Sequence, residues 1–356
     1  MIDYYSLGNN LQLNEIVFSG SHDAGITTGH GYDKTQELDI FGQALAGVRI
    51  FDLRITGVSR VTSTGIKVAD LRTFHGITSK TKNRDRVIPA LGHNTNTITT
   101  KKMRLMGGAG NFGLRLDEVL TQAKTFVENN NTEFLILKFD KCDNWLQIAE
   151  MCVSFLDNTI YTPGKNGGGS NLNRCTLDQL KGSVIVTFTS DGIAAVNGHY
   201  SSVHGIFGIT SLAKTKAAYK SNYRGLQYYG SGGTDKTTRN GKEGIRTVTE
   251  NERKQKKLML DGISVGLQVM GMMYWTITGA LGNIESRNQY LWTQPNAQKL
   301  VDLWKLIYLA GHGYYPNIVM IDFANDDSCE VIYRLNETLG SNCGAPVSAL
   351  CQQLHY

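Results

Sequence analysis

Apolar positions along the chain fall alternately into helical stripes and short β-branched runs. Leu116, Val119, Leu120, Ala123, Phe126 and Val127 recur at helical spacing and predict an amphipathic helix from Leu116 to Asn129. Leu38, Phe41 and Leu45 do the same for a helix from Thr35 to Ala46, closed by Gly47. Leu146, Ala149, Val153 and Leu156 mark another. Ala297, Leu300, Val301, Trp304 and Ile307 mark the next, and a final helix is expected from about Cys329 to Leu339. Between them lie apolar runs that predict strands: Ile16-Val17-Phe18, which stops at a Gly/Ser turn, Val48 to Leu53, Phe134 to Leu137, Val184-Ile185-Val186, Val269 to Thr276 and Ile318 to Ile321. Shorter strands are expected near 72–74 and 206–209. About eight strands interleaved with helices predict an α/β fold built as a barrel of parallel strands.

Irregular stretches at 77–113, 157–175 and 190–247 interrupt this alternation. None has a linker's composition and no internal repeat is visible, so the chain reads as a single domain over residues 1–356. From Gly262 to Ile284 no charged residue occurs, which raises a membrane-spanning reading; five glycines, Gln268 and Asn283 within the stretch favour a buried strand and its following loop.

Hydrophobic residues at 41% and charged residues at 19% describe a globular chain. Asn, Thr and Gly stand where cytosolic surfaces carry Lys and Glu, which points to a secreted or extracellular protein, although no signal peptide is visible in Met1-Ile2-Asp3-Tyr4-Tyr5. A net charge of +5 favours anionic partners such as phosphates and anionic membranes. No nucleic-acid motif accompanies the basic clusters, so nucleic acid is not an expected partner. The six cysteines show no CxxC spacing and no zinc pattern; both disulfides and reduced buried thiols remain open.

A parallel barrel carries its active site at the C-terminal strand ends, and polar residues fall there repeatedly. His22 and Asp23 follow the first predicted strand, Asp52 and Arg54 end the second, His75 the third, Lys138 and Asp140 the fourth, and Asp322 the last. Asp52 and Arg54 alone would read as a structural ion pair, and an isolated histidine as a satisfied core residue. Their repeated choice of one rim argues for an enzyme. Two histidines, each partnered by a carboxylate, suit general acid and general base catalysis of phosphoryl transfer. An arginine between them matches two phosphate oxygens, and Lys138 adds a second positive charge for the transition state.

His22-Asp23 after a Ser/Gly turn, the Gly47 to Arg54 strand, Phe74-His75-Gly76, the strand ending in Lys138, and Ile318 to Phe323 occur in the order found in the phosphatidylinositol-specific phospholipase C catalytic domain, which this chain resembles. Thr35-Gln36 and the Leu116 to Lys138 helix and strand match as well. The resemblance implies a distorted TIM-like (β/α) barrel. The calcium-dependent branch of that family usually has His-Asn at the first site and acidic metal ligands near the second and fourth strands. This chain has His22-Asp23, with Arg54 and Lys138 where acidic ligands would stand, and so resembles the metal-independent bacterial branch, which implies no cofactor and no metal. Carried over by motif, His22 is the general base, oriented by Asp322; His75 is the general acid, paired with Asp23; Arg54 holds the phosphate with Asp52 beside it, and Lys138 binds substrate. The implied reaction is attack of the inositol 2-hydroxyl on the neighbouring phosphorus, giving diacylglycerol and a cyclic inositol phosphate.

The chain departs from the family at Thr187-Phe188-Thr189, where an arginine contacting inositol is common, and in a long insertion at about 77–113 that contains His93. That insertion carries Lys80, Lys82, Arg84, Arg86, Lys101, Lys102 and Arg104 among apolar residues, a composition suited to an anionic membrane surface. The expected partner is an inositol phospholipid, free or glycosylated, met by a monomer peripheral at the membrane. The alternatives are a related barrel phosphodiesterase acting on another phospholipid head group, and a catalytically silent lipid-binding module.

Overall fold

A computed structural model of the chain describes residues 1–29, 33–76, 78–87, 97–103, 110–232, 247–266, 268–277 and 284–340. In chain order the elements begin with β1 (Phe18–Ser21), α1 (Ile40–Ala46) and β2 (Val48–Leu53). Five strands follow, β3 (Ile55–Val61), β4 (Lys67–Gly76), β5 (Thr78–Val87), β6 (Thr97–Met103) and β7 (Gly110–Arg115). The chain continues through α2 (Leu116–Asn129), β8 (Phe134–Phe139), α3 (Trp145–Leu156), α4 (Leu177–Leu180), β9 (Ser183–Phe188), α5 (Ser190–Val196), β10 (Ile206–Ser211), α6 (Leu212–Thr215) and β11 (Gly225–Tyr229). It closes with α7 (Val248–Gly262), β12 (Met270–Trp275), α8 (Ile284–Leu291), α9 (Gln294–Ala310), β13 (Pro316–Ile321), α10 (Asp326–Tyr333) and α11 (Leu335–Gly340).

Eight strands pair in the order β1-β13-β12-β11-β10-β9-β8-β2 and close into a parallel barrel, with helices outside it. The expected α/β TIM-like barrel is therefore the observed fold. The strands are buried on both faces, as a parallel sheet wrapped by helices requires.

One barrel strand differs from expectation. The strand carrying His75 does not enter the barrel: β4 pairs antiparallel with β3 and with β7 in a separate five-stranded sheet. Its place in the count of eight is taken by β11, which lies inside the stretch read as irregular. Gly225-Leu226-Gln227-Tyr228-Tyr229 has too few β-branched residues to stand out as a strand. The expected insertion at 77–113 supplies β5, β6 and part of β7 to the side sheet, together with β3 and β4 from before it.

Helix and strand limits shift for local reasons. The first strand runs through Ser-Gly-Ser instead of turning there, because Gly20 faces the crowded barrel interior: a Cβ would lie 2.3 Å from Met320 Sδ and 2.7 Å from Ile50 Cγ2. The first helix begins at Ile40 and not Thr35, since Asp39 caps it by accepting from Gly42 N at 2.8 Å. The last predicted helix is two, α10 and α11. The uncharged stretch after Gly262 contains β12, and no described helix is long and apolar enough to cross a membrane. Cys142, Cys152, Cys175 and Cys329 are free and buried; Cys343 and Cys351 lie outside the described residues.

Candidate active site

Alternation along each strand decides which residues enter the barrel mouth. Ile50 and Asp52 share the inward face of β2, Arg54 follows just beyond its end, and register pairs Ile50 with Ile136 and Asp52 with Lys138 on β8. On β13, Ile318 and Met320 point inward beside Gly20, so Asp322 follows at the rim. The inner layer is thus apolar below and ionic above. His22 and Asp23 emerge from β1 in the same layer, with Asp23 in the left-handed region at φ +45°.

The side sheet delivers the remaining histidine. Thr73 Oγ1 donates to Gly25 O at 2.9 Å, Leu114 N donates to the same carbonyl at 2.9 Å, and Phe74 N donates to Arg54 O at 2.9 Å. These bonds fasten β4 and β7 to the loop after β1 and bring His75 Nε2 to 3.7 Å from Asp23 Oδ2. His22 Nε2 lies 3.5 Å from that same oxygen. Asp23 Oδ1 is 3.0 Å from Arg54 Nε, an ion contact not aligned as a hydrogen bond.

Each histidine is oriented from behind. His22 Nδ1 is 2.9 Å from Asp322 Oδ1, and an ionised carboxylate can only accept, so Nδ1 carries a proton and Nε2 faces the mouth. His75 Nδ1 lies 3.2 Å from the Asp33 carbonyl, which fixes its Nδ1–H in the same way. Thr35 and Gln36 tie the supporting loops together: Thr35 Oγ1 donates to Asp23 O at 2.8 Å, Gln36 Nε2 to His22 O at 2.9 Å, and Gln36 Oε1 accepts from Ala324 N at 3.0 Å.

Electrostatics follow from this packing. Burial disfavours a charged His22, but Asp23 and then Asp322 outweigh it and hold its pKa up to about 9. Burial pushes Asp23 upward; Arg54, His22 and His75 overcome that and draw it down to about 2. Lys138 is 2% exposed and ion-paired with Asp52, with Asp140 Oδ2 at 3.7 Å. Despite burial, Asp52 keeps its ammonium charged, raising its pKa above the ordinary lysine value. His22, Asp23 and Asp52 offer ligand atoms within 4.8 Å of one another, a possible donor set for a cation. Arg54 already faces Asp23 and Lys138 already faces Asp52, so an added ion would have to displace fixed positive charge.

The structure brings together all of the residues singled out from sequence: His22, Asp23, Asp52, Arg54, His75, Lys138 and Asp322. It also adds tyrosines that the sequence reading missed. Tyr274 stands edge-on to His22 with ring centroids 5.9 Å apart, and Tyr228 lies within electrostatic reach of Lys138. By register with Lys138, Thr187 faces inward on β9, and Ser211 and Tyr228 pair on β10 and β11. The mouth is ionic where β1, β2, β8 and β13 meet it; across β9 to β12 the Thr187 and Ser211 hydroxyls donate to the Leu137 and Gly230 carbonyls, and Tyr228 and Tyr274 complete the wall. Tyrosines in apolar strands carry no sign of their role until register is known. His93 and Arg104 lie outside the described residues. Lys101 of the 77–113 insertion is ion-paired with Asp143 and lies 5.8 Å from the Phe74 ring centroid.

No family model matches this sequence, and no curated protein matches it. Similarity is found among solved structures. A structure of the phosphatidylinositol-specific phospholipase C of Staphylococcus aureus, from work on modulation of its membrane binding, matches with a TM-score of 0.53 at 15% identity, over 92% of this chain and 95% of that one. A double mutant of the same enzyme matches with a TM-score of 0.53 at 15% identity, over 93% and 96%. The likeness spans nearly the whole of both chains, and at this identity it shows a shared fold.

Proposed function

We propose that this protein is a metal-independent phospholipase C-type enzyme that cleaves phosphatidylinositol, free or glycosylated, at a membrane surface. The observation that carries the reading is the convergence of His22 Nε2 and His75 Nε2 on one oxygen of Asp23, with Arg54 on the other. Two proton-transfer groups and a fixed cation then surround a space suited to one phosphodiester. His22 Nε2 takes the proton of the inositol 2-hydroxyl, held in its tautomer by Asp322. The oxygen attacks the adjacent phosphorus, and His75 Nε2–H protonates the departing glycerol oxygen. Arg54 neutralises charge building on the non-bridging oxygens. Because nucleophile and phosphate belong to one molecule, little entropy is lost in bringing them together. The histidines then exchange roles if water opens the cyclic product.

Fixed cations on Asp23 and Asp52 support metal independence. Phosphorus NMR of products from phosphatidylinositol, run with a strong chelator, is the test. A cyclic phosphodiester resonance is expected with chelator present. Turnover that stops with chelator and returns with calcium would refute the metal-independent mechanism, and absence of cleavage of any inositol lipid would refute the substrate assignment.

A further inference from the structure

The loop after β8 carries a cation that the mechanism above does not use. Lys141 adopts φ +54°, the left-handed region, which is strained for a residue with a Cβ. Its neighbours hold it beside Arg54. Asp140 N donates to Leu53 O at 3.0 Å, Ile55 N donates to Cys142 Sγ at 3.1 Å, and Asp143 N donates to Ile55 O at 2.9 Å. The residues flanking Lys141 therefore grip the residues flanking Arg54. Lys141 is exposed and forms no ion pair with a carboxylate among the described residues: Asp140 faces Lys138, and Asp143 pairs with Lys101. Its strongest electrostatic neighbour is Arg54, whose repulsion, with partial burial second, holds the Lys141 ammonium below the usual lysine range; Asp140 and Asp52 oppose this without overcoming it. Two cations that repel one another, on backbone segments bonded together at a mouth whose carboxylates are already engaged, are relieved by an anion between them.

We propose that Lys141 contacts the phosphate, forming with Arg54 a two-cation clamp on the non-bridging oxygens, while buried Lys138 positions Asp52. This rests on the phosphoryl-transfer reading given above.

Lys141→Gly is the informative variant, because glycine adopts this φ without strain and the loop keeps its shape. Binding of inorganic phosphate at constant ionic strength, by calorimetry, is measured beside kcat/KM on phosphatidylinositol. We expect phosphate affinity to fall about fivefold or more and kcat/KM about ten- to a hundredfold, with an unchanged or higher Tm and substantial rescue in Lys141→Arg. Wild-type phosphate affinity and turnover in Lys141→Gly would overturn the assignment, as would a wild-type protein that binds no phosphate. If the wild type binds phosphate through Lys141 yet cleaves no inositol lipid, the clamp stands and the proposed reaction falls.

Discussion

Burial opposes a positive charge on the His22 imidazole, but Asp23 and then Asp322 outweigh it and hold the pKa up to about 9. A general base must be neutral, so kcat/KM is expected to rise with pH along a limb displaced above the ordinary histidine value of about 6.5 and toward 9. Asp322→Asn removes one of the two supporting charges, and the limb should move to lower pH in a pH–rate profile; an unmoved limb would deny Asp322 that role. The same shift bears on stability. A group whose folded pKa is raised stabilises the fold fully below its unfolded pKa, near 6.5, and loses that contribution as pH rises through the folded value. For His22 this is on the order of 3 kcal/mol, lost between about pH 6.5 and 9, and urea unfolding at both ends should show a smaller loss in His22→Gln than in the wild type. His22→Ala and His75→Ala are each expected to lower kcat by about two to four orders of magnitude, since each removes a proton-transfer partner.

Elements decide how these residues meet, and here the sequence is informative unevenly. The α2 stripe and the β8 and β13 runs are readable because one apolar pattern governs both local propensity and burial. The pairing of Asp52 with Lys138 is not readable in the same way: the expected third strand would stand between theirs, and β2 meets β8 only because β4 leaves the barrel for the side sheet. β11 is not readable, since its glycine, glutamine and two tyrosines become strand-like only once neighbouring strands hold them. His75 shows the other limit: its motif is visible, but its delivery from a second sheet depends on long-range bonds to Gly25. Gly113 makes that docking possible, because a Cβ there would stand 2.0 Å from Gly25 O. Gly113→Ala should therefore push β7 and β4 away from the loop after β1 and withdraw His75 from Asp23. The expected result is a fall in kcat of at least tenfold in protein that remains folded by circular dichroism. Full activity in this variant would mean that His75 does not depend on the docking.

At the scale of the whole molecule, buried ion pairs stand at opposite ends of the same barrel strands. At the rim Lys138 faces Asp52. Near the start of β2, fully buried Arg49 donates from Nε to Glu133 Oε2 at 2.7 Å, from Nη1 to Ala44 O at 2.8 Å and from Nη2 to Ile2 O at 2.9 Å. Glu133 Oε1 accepts from Tyr4 N at 2.8 Å, and the Tyr4 ring lies 4.9 Å from the guanidinium carbon. This lower pair fastens the N-terminal segment to the barrel floor and touches none of the rim residues. Removing one partner of a buried pair leaves an uncompensated charge, so Arg49→Met and Lys138→Met should each cost about 3–5 kcal/mol in urea unfolding. Their effects on catalysis should diverge. Arg49→Met is expected to keep kcat per folded molecule within about twofold, because distant sites with no shared partners act independently. Lys138→Met should lower kcat by about a hundredfold or more, since it frees the charge of Asp52 beside Arg54 and draws the guanidinium away from the phosphate. Equal catalytic losses in the two variants, measured on the folded fraction, would show that floor and rim are coupled through the barrel.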